Sequence, residues 1–192
     1  MPINQTDEEL MLKAGKGDMS AFNFLVNKHK KYLLNLCYGY IPSAEQAEDI
    51  AQETFLRVYK NAKKYKPTAK FTTWLSRIAI NLCFDILRQN KRKKTESLFD
   101  AESGNVKSKA EHTVDNSIGP EEDVEAKEIA DSIQEAVKML PEDQRSVVVM
   151  AFFNKTPYEE IAETLNISVG SVKMRINRAR LVLKDILSKK KL

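Results

Sequence analysis

The chain has 192 residues, of which 30% are charged, and it contains six glycines and six prolines. This composition excludes collagen-like, low-complexity and wholly disordered proteins, and the longest apolar run, residues 147–153, is far too short to span a membrane. The net charge of +4 averages over opposed segments: residues 1–95 carry +8, residues 96–140 carry −8 and residues 141–192 carry +4. Two basic segments separated by an acidic one suggest a polyanionic partner contacted at both ends.

The N-terminus and the cysteines restrict the chemistry further. The first nine residues are polar and acidic, unlike a signal or transit peptide, so we expect a cytoplasmic protein without membrane insertion. Cys37 and Cys83 lie in apolar stretches without metal-ligand spacing, which favours buried thiols over a metal site. Because the sequence has no P-loop, GxGxxG or HExxH motif, we expect no catalytic residues, no cofactor and no small-molecule substrate.

Helical periodicity dominates the chain, so we predict an all-α fold of two small helical domains joined by a flexible acidic linker. The first domain comprises residues 1–94 and contains four helices, three of which begin at good N-cap residues. A polar loop over residues 64–70 precedes the fourth helix. The helices are predicted from Thr6 to about Lys16, Asp18 to about Tyr40, Ser43 to about Lys63, and Thr72 or Thr73 to about Arg92.

Residues 95–120 contain serine, asparagine and glycine but few large apolar side chains, and we interpret them as the linker. The second domain then comprises residues 121–192. Its helices are predicted over residues 121–140, 141–154, 156–165 and 168–188, and Pro141 suits the first turn of the second of these.

The last two helices, joined by the short turn 166–168, have the layout of a helix-turn-helix. The final helix has an apolar stripe that includes Val172 and Ile176, and the opposite face carries cations and an asparagine, which can read base edges in a major groove. Free backbone N–H groups at the start of this helix would suit a phosphate. The alternative is that these cations belong to an ordinary solvated helix surface and contact no DNA. The candidate DNA contacts are Gly170, Ser171, Lys173, Met174, Arg175, Asn177 and Arg178.

The fourth helix is apolar around most of its circumference and shows one narrow polar strip. The loop before it alternates cations with aromatic rings, a pattern typical of single-strand recognition, in which rings stack on bases and cations follow the backbone. Trp74, the single tryptophan, could instead be a core residue, because an aromatic side chain on a helix is usually buried. The candidate contacts are Tyr65, Lys66, Lys70 and Phe71 in the loop, and Trp74, Arg77, Asn81 and Arg88 in the polar strip.

The third helix has an acidic, amide-bearing face within an otherwise basic domain. Such a face suits a protein partner better than DNA, although the spacing fits a solvated surface equally well. Its residues are Asp49, Gln52, Glu53 and Leu56.

Five segments in order along the chain resemble bacterial sigma factors of the extracytoplasmic function (ECF) type. They are DIAQETFLRVY from Asp49, FTTWLSRIAIN from Phe71, LPEDQR from Leu140, YEEIA from Tyr158 and VGSVKMRINRAR from Val169.

The resemblance implies a transcription initiation factor whose first domain, region 2, binds core RNA polymerase and opens the minus-ten promoter element, and whose second, region 4, reads the minus-35 element. The polymerase contact would then be made by the acidic face of the third helix. The aromatic loop and polar strip would hold an extruded base, and the helix-turn-helix would contact the minus-35 duplex. An anti-sigma factor is a further partner that the resemblance implies. The loop before Phe71 has Lys66-Pro67 where the family commonly has Arg-Gly.

The main alternative is a stand-alone helix-turn-helix regulator. Such a protein would share the C-terminal motif but would need neither the acidic face of the third helix nor the aromatic loop.

Overall fold

The structure, a computed structural model, describes residues 5–41, 43–100 and 122–189. Eight α-helices with a 3-10 turn and a π-helical turn make up its regular structure, which confirms the all-α prediction. No helix in these three ranges is long and apolar enough to cross a membrane. The helices are α1 (Asp7–Gly15), α2 (Met19–Tyr38), α3 (Ala44–Lys60), α4 (Phe71–Asp100), α5 (Glu122–Lys138), α6 (Glu142–Val148), α7 (Tyr158–Leu165) and α8 (Val169–Lys189), with the 3-10 turn at Ala62–Lys64 and the π-helical turn at Val149–Phe153.

The N-termini of α1, α2 and α3 are capped by the predicted residues. Thr6 and Glu9 form a capping box, in which each side chain accepts the other's backbone N–H at 3.2 Å. The Asp18 carboxylate accepts two backbone N–H groups at 3.0 Å, and the Ser43 hydroxyl accepts one at 3.3 Å. These bonds satisfy donors that the first turn of a helix leaves without a partner.

Helix α4 is longer than predicted and continues through residues 93–100, six of which were placed in the linker. Nothing in this stretch stops a helix, because residues 92–100 contain no glycine or proline and several good helix formers. The remaining linker residues, 101–120, lie outside the described residues. The prediction that the fourth helix ends near Arg92 was therefore wrong.

The predicted single helix 141–154 is divided into two parts. Pro141 precedes α6 as its N-cap residue instead of lying in its first turn, and α6 gives way to the π-helical turn at Val149. The Asn154 N–H donates to the Val149 carbonyl at 3.2 Å, a bond that closes a wider ring than the α-helical bond. This turn contacts α2.

The helix-turn-helix is present where it was predicted. The chain reverses at Asn166, whose left-handed backbone (φ 54°, ψ 49°) ends α7. Ile167 N–H then donates to the Ala162 carbonyl at 3.0 Å, and the Ser168 hydroxyl begins α8 by accepting the Ser171 N–H at 3.1 Å. Asparagine is one of the few residues besides glycine that adopt this conformation readily.

The Asn166 conformation leads to a prediction about stability. Asn166→Ala should lower the free energy of unfolding by about 1 kcal/mol, because a Cβ without a compensating polar side chain strains the left-handed backbone. Asn166→Gly is the matched control and should match or exceed the parent, because glycine adopts this conformation freely. Urea unfolding of the three proteins measures the difference, and equal midpoints for the alanine and glycine variants would contradict the argument.

One apolar core runs through both halves of the chain. Residues of α1–α4, such as Leu25 and Leu75, belong to the same buried cluster as Met150 and Ile161 of the C-terminal half. Cys37 and Cys83 are free thiols and fully buried, as predicted. The two halves therefore pack against each other in this structure.

Candidate nucleic-acid and polymerase interfaces

A cavity of about 390 Å³ lies between the 3-10 turn, the loop after it and the first turns of α4. Polar and aromatic side chains meet around it, as the pattern of the loop predicted. It is lined by Asn61, Lys64, Tyr65, Lys66, Thr68, Ala69, Trp74, Arg77 and Ile78.

Three aromatic rings form a cluster beside this cavity. The ring centroids of Tyr65 and Trp74 are 5.0 Å apart, and Phe71 meets Trp74 edge-on at 6.3 Å. Phe71 is 1% exposed and Tyr65 is 8% exposed, whereas Trp74 is only half-buried. Phe71 and Tyr65 therefore pack against Trp74, and neither ring is exposed enough to stack directly on a base in this arrangement.

The N-terminus of α4 is held by a carboxylate that the sequence analysis missed. Glu8 of α1 accepts the Phe71 N–H at 2.8 Å, and the neighbouring Asp7 bonds the His29 ring at 2.8 Å. His29 in turn packs on Phe71, with ring centroids 5.2 Å apart. Only the fold brings Glu8 to this site, 63 residues away along the chain. Helix α1 thus positions the first turn of α4, which carries Trp74.

The environment of Tyr65 leads to a prediction about alkaline pH. Burial raises the pKa of Tyr65 to about 12, and the nearby carboxylates of Glu8 and Asp7 add to the effect. An unfolded tyrosine has a pKa of about 10, so above that pH the unfolded chain binds fewer protons than the folded chain and stability falls. Tyr65→Phe should lose less stability than the parent between pH 10 and 12.

The measurement for Tyr65 is the urea midpoint at pH 9 and at pH 11.5. Tyr59→Phe is the matched control, because it removes the same hydroxyl group at a position that is 43% exposed. If the parent and Tyr65→Phe lose stability in parallel, Tyr65 does not carry the alkaline sensitivity.

The polar candidates of the loop and of the strip differ in how exposed they are and in which partners they have. Lys66 and Asn81 are exposed. Lys70 bonds Glu160 of α7 at 3.0 Å, and the Arg77 guanidinium donates to the Thr164 carbonyl at 3.0 Å. Arg88, 65% exposed at its side chain, lies 3.9 Å from both Asp85 and Glu142. The structure thus brings the strip residues together on one side of α4, with Lys70 and Arg77 turned toward α7.

The predicted acidic face of α3 is exposed. Asp49 and Gln52 are open to solvent, and Leu56 is 52% exposed. Ile50, Ala51 and Val58, on the other side of the helix, are buried. Glu53 is half-buried and accepts a hydrogen bond from Arg57 at 2.8 Å, which holds the pKa of Glu53 below its usual range. An exposed leucine between acidic and amide groups is suited to a protein partner.

Helix α8 presents the predicted face to solvent. Val172, Ile176 and Ala179 are buried, and the residues opposite them are open to solvent. The exposed residues among the candidates are Gly170, Lys173, Met174, Asn177 and Arg178.

Two candidates at the edge of this face are engaged within the protein. The Ser171 N–H, expected to be free for a phosphate, donates to the Ser168 hydroxyl, so that part of the prediction was wrong. The Arg175 guanidinium is half-buried and lies 3.7 Å from the Asp143 carboxylate. A serine as N-cap residue competes with any anion for the same N–H groups.

Comparisons with known proteins agree with this geometry. The sigma-70 region 2 family matches residues 25–93, and the sigma-70 region 4 family matches residues 126–183. The ECF RNA polymerase sigma factor SigW of Bacillus subtilis is 37% identical over 183 residues, covering 92% of this chain and 96% of the relative. The RNA polymerase sigma-H factor of Pseudomonas aeruginosa is 32% identical over 180 residues, covering 94% and 93%.

Solved structures support the same fold. CnrH, in complex with the cytosolic domain of CnrY, aligns with a TM-score of 0.70 at 23% identity, covering 96% of this chain and 99% of that chain. The sigma factor RpoE of Bartonella quintana, in complex with the anti-sigma factor NepR, aligns with a TM-score of 0.64 at 20% identity, covering 87% and 96%. The family models and the relatives of 32–37% identity show that the chain belongs to the sigma-70 family and is an ECF RNA polymerase sigma factor, a transcription initiation factor.

Proposed function

We propose that residues 1–94 act as region 2 and residues 121–192 as region 4, and that each domain contacts its own promoter element while the first also holds the polymerase. The observation that carries this proposal is the presence of three distinct surfaces on one chain: the acidic face of α3, the aromatic cavity beside α4 and the exposed face of α8. A stand-alone helix-turn-helix regulator would use the third surface only.

Promoter opening is assigned to the cavity beside α4. Trp74 offers a partly exposed ring that packs against Tyr65, at a centroid distance of 5.0 Å, and Asn81 is exposed further along the same helix. A rigid ring loses little entropy on stacking, and an extruded base needs stacking and a polar group to offset the loss of its own stack. Lys66 and Arg88 would accompany the backbone of that strand. Phe71 supports the site from the core.

Minus-35 recognition is assigned to α8. Lys173, Asn177 and Arg178 lie on its exposed face, where arginine and lysine can donate to guanine and asparagine can pair with adenine. Met174 is 51% exposed beside them and would supply an apolar contact. Arg175, held near Asp143, would add a phosphate contact once that weak pair separates.

Core polymerase binding is assigned to the α3 face formed by Asp49, Gln52, Glu53 and Leu56.

The chain itself would carry no catalytic residues, since RNA synthesis belongs to the polymerase, and it would act in the cytoplasm. By analogy with the relatives solved as complexes with CnrY and with NepR, an anti-sigma factor is a further partner.

The test is transcription by core RNA polymerase on sheared genomic DNA with and without the purified chain, followed by mapping of the new RNA 5′ ends. We expect a limited set of start sites that share two upstream sequence elements. Tight binding of the chain alone to duplex DNA, with no association with core enzyme, would favour the stand-alone regulator instead.

The polymerase contact can be tested separately. Leu56→Arg places a charge on a 52% exposed position and should abolish association with core enzyme without unfolding the chain. Leu12→Arg is the matched control, because Leu12 is a 40% exposed leucine on α1. Equal association of the two variants would remove α3 from the proposed interface.

A further inference from the structure

The first turn of α4 is capped by a residue of another helix. The first backbone bond of α4 runs from the Trp74 N–H to the Lys70 carbonyl at 3.2 Å, which places Lys70 at the N-cap position. A lysine side chain carries donors and no acceptor, so it cannot bind the free N–H groups of that turn. The half-buried carboxylate of Glu8 on α1 accepts the Phe71 N–H instead, at 2.8 Å. Glu8 therefore acts as a cap, and its negative charge lies at the positive end of the helix dipole.

Helix α1 is itself held to α2 beside Glu8. The adjacent Asp7 carboxylate accepts a hydrogen bond from the Lys28 ammonium at 2.7 Å and bonds the His29 ring at 2.8 Å. The side chains of Asp7 and His29 are 15% and 8% exposed, so solvent screens this contact only weakly. The position of the Glu8 carboxylate is thus fixed relative to α2 as well as to α1.

The other end of α1 lies against the 3-10 turn that precedes Tyr65. A Cβ at Gly15 would lie 2.7 Å from the Ala62 carbonyl oxygen and 3.1 Å from the Ala62 carbonyl carbon. Both atoms belong to the backbone, so they cannot move aside as the end of a flexible side chain can. The absence of a side chain at Gly15 therefore permits α1 to approach the turn this closely.

Helix α1 thus contacts the chain on both sides of the loop that forms the cavity. Glu8 and Gly15 lie seven positions apart on α1, which is about 10 Å along the helix axis. Met11, between them, is fully buried and holds α1 on the core. Tyr65 follows the first contact and Trp74 follows the second, and both rings line the cavity. A change at either contact will therefore move the two rings relative to each other.

We propose that Glu8 and Gly15 are positioning residues for promoter opening: through these two contacts α1 fixes both ends of the loop and, with them, the place of the Trp74 ring. Neither residue contacts the DNA, and both act through Trp74. This inference rests on the proposed function of the cavity, in which Trp74 stacks on an extruded base. It gives a role in initiation to a helix that lies outside residues 25–93, the segment that matches the region 2 family.

Four variants separate the position of the ring from the stability of α1. Glu8→Ala removes the acceptor of the Phe71 N–H, whereas Glu8→Gln keeps a side-chain oxygen there and should rescue the contact. Glu9→Ala is the matched control, because it removes an adjacent carboxylate and breaks the capping box, whose bonds lie at the N-terminus of α1. Gly15→Ala tests the second contact independently, since alanine favours the helix itself but places a methyl group against the Ala62 backbone.

The first readout is the fluorescence of Trp74, which is the single tryptophan and so reports the position of its own ring. Quenching by acrylamide measures how accessible this ring is in the free chain. We expect Glu8→Ala and Gly15→Ala to shift the quenching constant toward that of the urea-unfolded chain, because the ring loses its packing against Tyr65. Glu8→Gln and Glu9→Ala should match the parent in quenching, although Glu9→Ala should lower the urea midpoint.

The second readout is the rate of promoter opening with core polymerase, followed by the reactivity of minus-ten thymines to permanganate. We expect Glu8→Ala to slow opening about three- to tenfold, the effect that loss of a helix cap can have on a rate. Association with core enzyme should be unchanged, because α3 is untouched. Glu8→Gln and Glu9→Ala should open the promoter at the parental rate.

Unchanged quenching in both Glu8→Ala and Gly15→Ala would overturn the proposal, as would equal shifts in Glu8→Ala and Glu9→Ala, which would indicate a loss of stability alone. A shifted quenching constant with a parental opening rate would overturn the role in opening. Trp74→Ala then identifies the step that failed. If Trp74→Ala opens the promoter slowly, the proposed function of the cavity stands without this role for α1; if it opens at the parental rate, that function is itself wrong.

Discussion

Replacing Trp74 by alanine is expected to slow promoter opening by about 5- to 150-fold, the equivalent of the ~1–3 kcal/mol that one base gains by stacking on an aromatic ring. Trp74 is the ring of the cluster that remains partly exposed, and the Tyr65 ring packs against it. The substitution removes the stacking surface and leaves Phe71 in the core. Binding to core polymerase should be unchanged, because α3 is untouched.

The measurement for Trp74 is the rate at which thymines of the minus-ten element become reactive to permanganate in the presence of polymerase. Trp74→Phe is the matched control and should retain most of the rate, since a smaller ring still stacks. Urea unfolding checks that Trp74→Ala is folded under the assay conditions. An alanine variant that opens the promoter at the parental rate would exclude Trp74 from base capture.

Arg178→Ala is expected to weaken binding of the polymerase complex to its cognate minus-35 sequence by about 1–3 kcal/mol relative to a scrambled sequence. Arg178 lies on the exposed face of α8 opposite the buried Val172 and Ile176, where a guanidinium can reach two acceptors of one guanine. The loss should therefore be confined to the sequence that carries this base.

The matched control for Arg178 is Arg180→Ala, which removes the same charge from another exposed position of α8. A phosphate contact weakens all sequences alike and lowers the salt dependence of binding. Competition assays with cognate and scrambled duplexes, at two salt concentrations, separate the two effects. An equal loss on both duplexes for Arg178→Ala would reassign it to the phosphate backbone.

Local signals in the sequence predicted the parts of the structure that depend on neighbouring residues. Thr6, Asp18 and Ser43 cap their helices as predicted, because a hydroxyl or carboxylate at the N-cap reaches donors only two or three residues away. Helical periodicity likewise predicted which face of α8 is exposed. The polar composition of residues 93–100 does not indicate the extension of α4, although no helix breaker interrupts this stretch.

No pattern in the sequence predicts which distant residues contact each other. The alternation of rings and cations in residues 63–71 indicated a stacking surface but could not separate the buried Phe71 from the half-exposed Trp74, since that depends on α1 and α2 packing against α4. Glu8 reaches Phe71 from 63 residues away, and its role has no local signal.

The sequence by itself determined the helical class, the N-caps of α1, α2 and α3, the helix-turn-helix and the three candidate surfaces, because each depends on periodicity, composition or spacing within about twenty residues. Only the tertiary structure decided that Lys70, Thr72 and Arg77 meet α7 and that Gly39 meets Val149. Those pairs lie 87 to 110 positions apart, and their contact depends on how two separate apolar faces pack together, which the pattern within each helix does not specify.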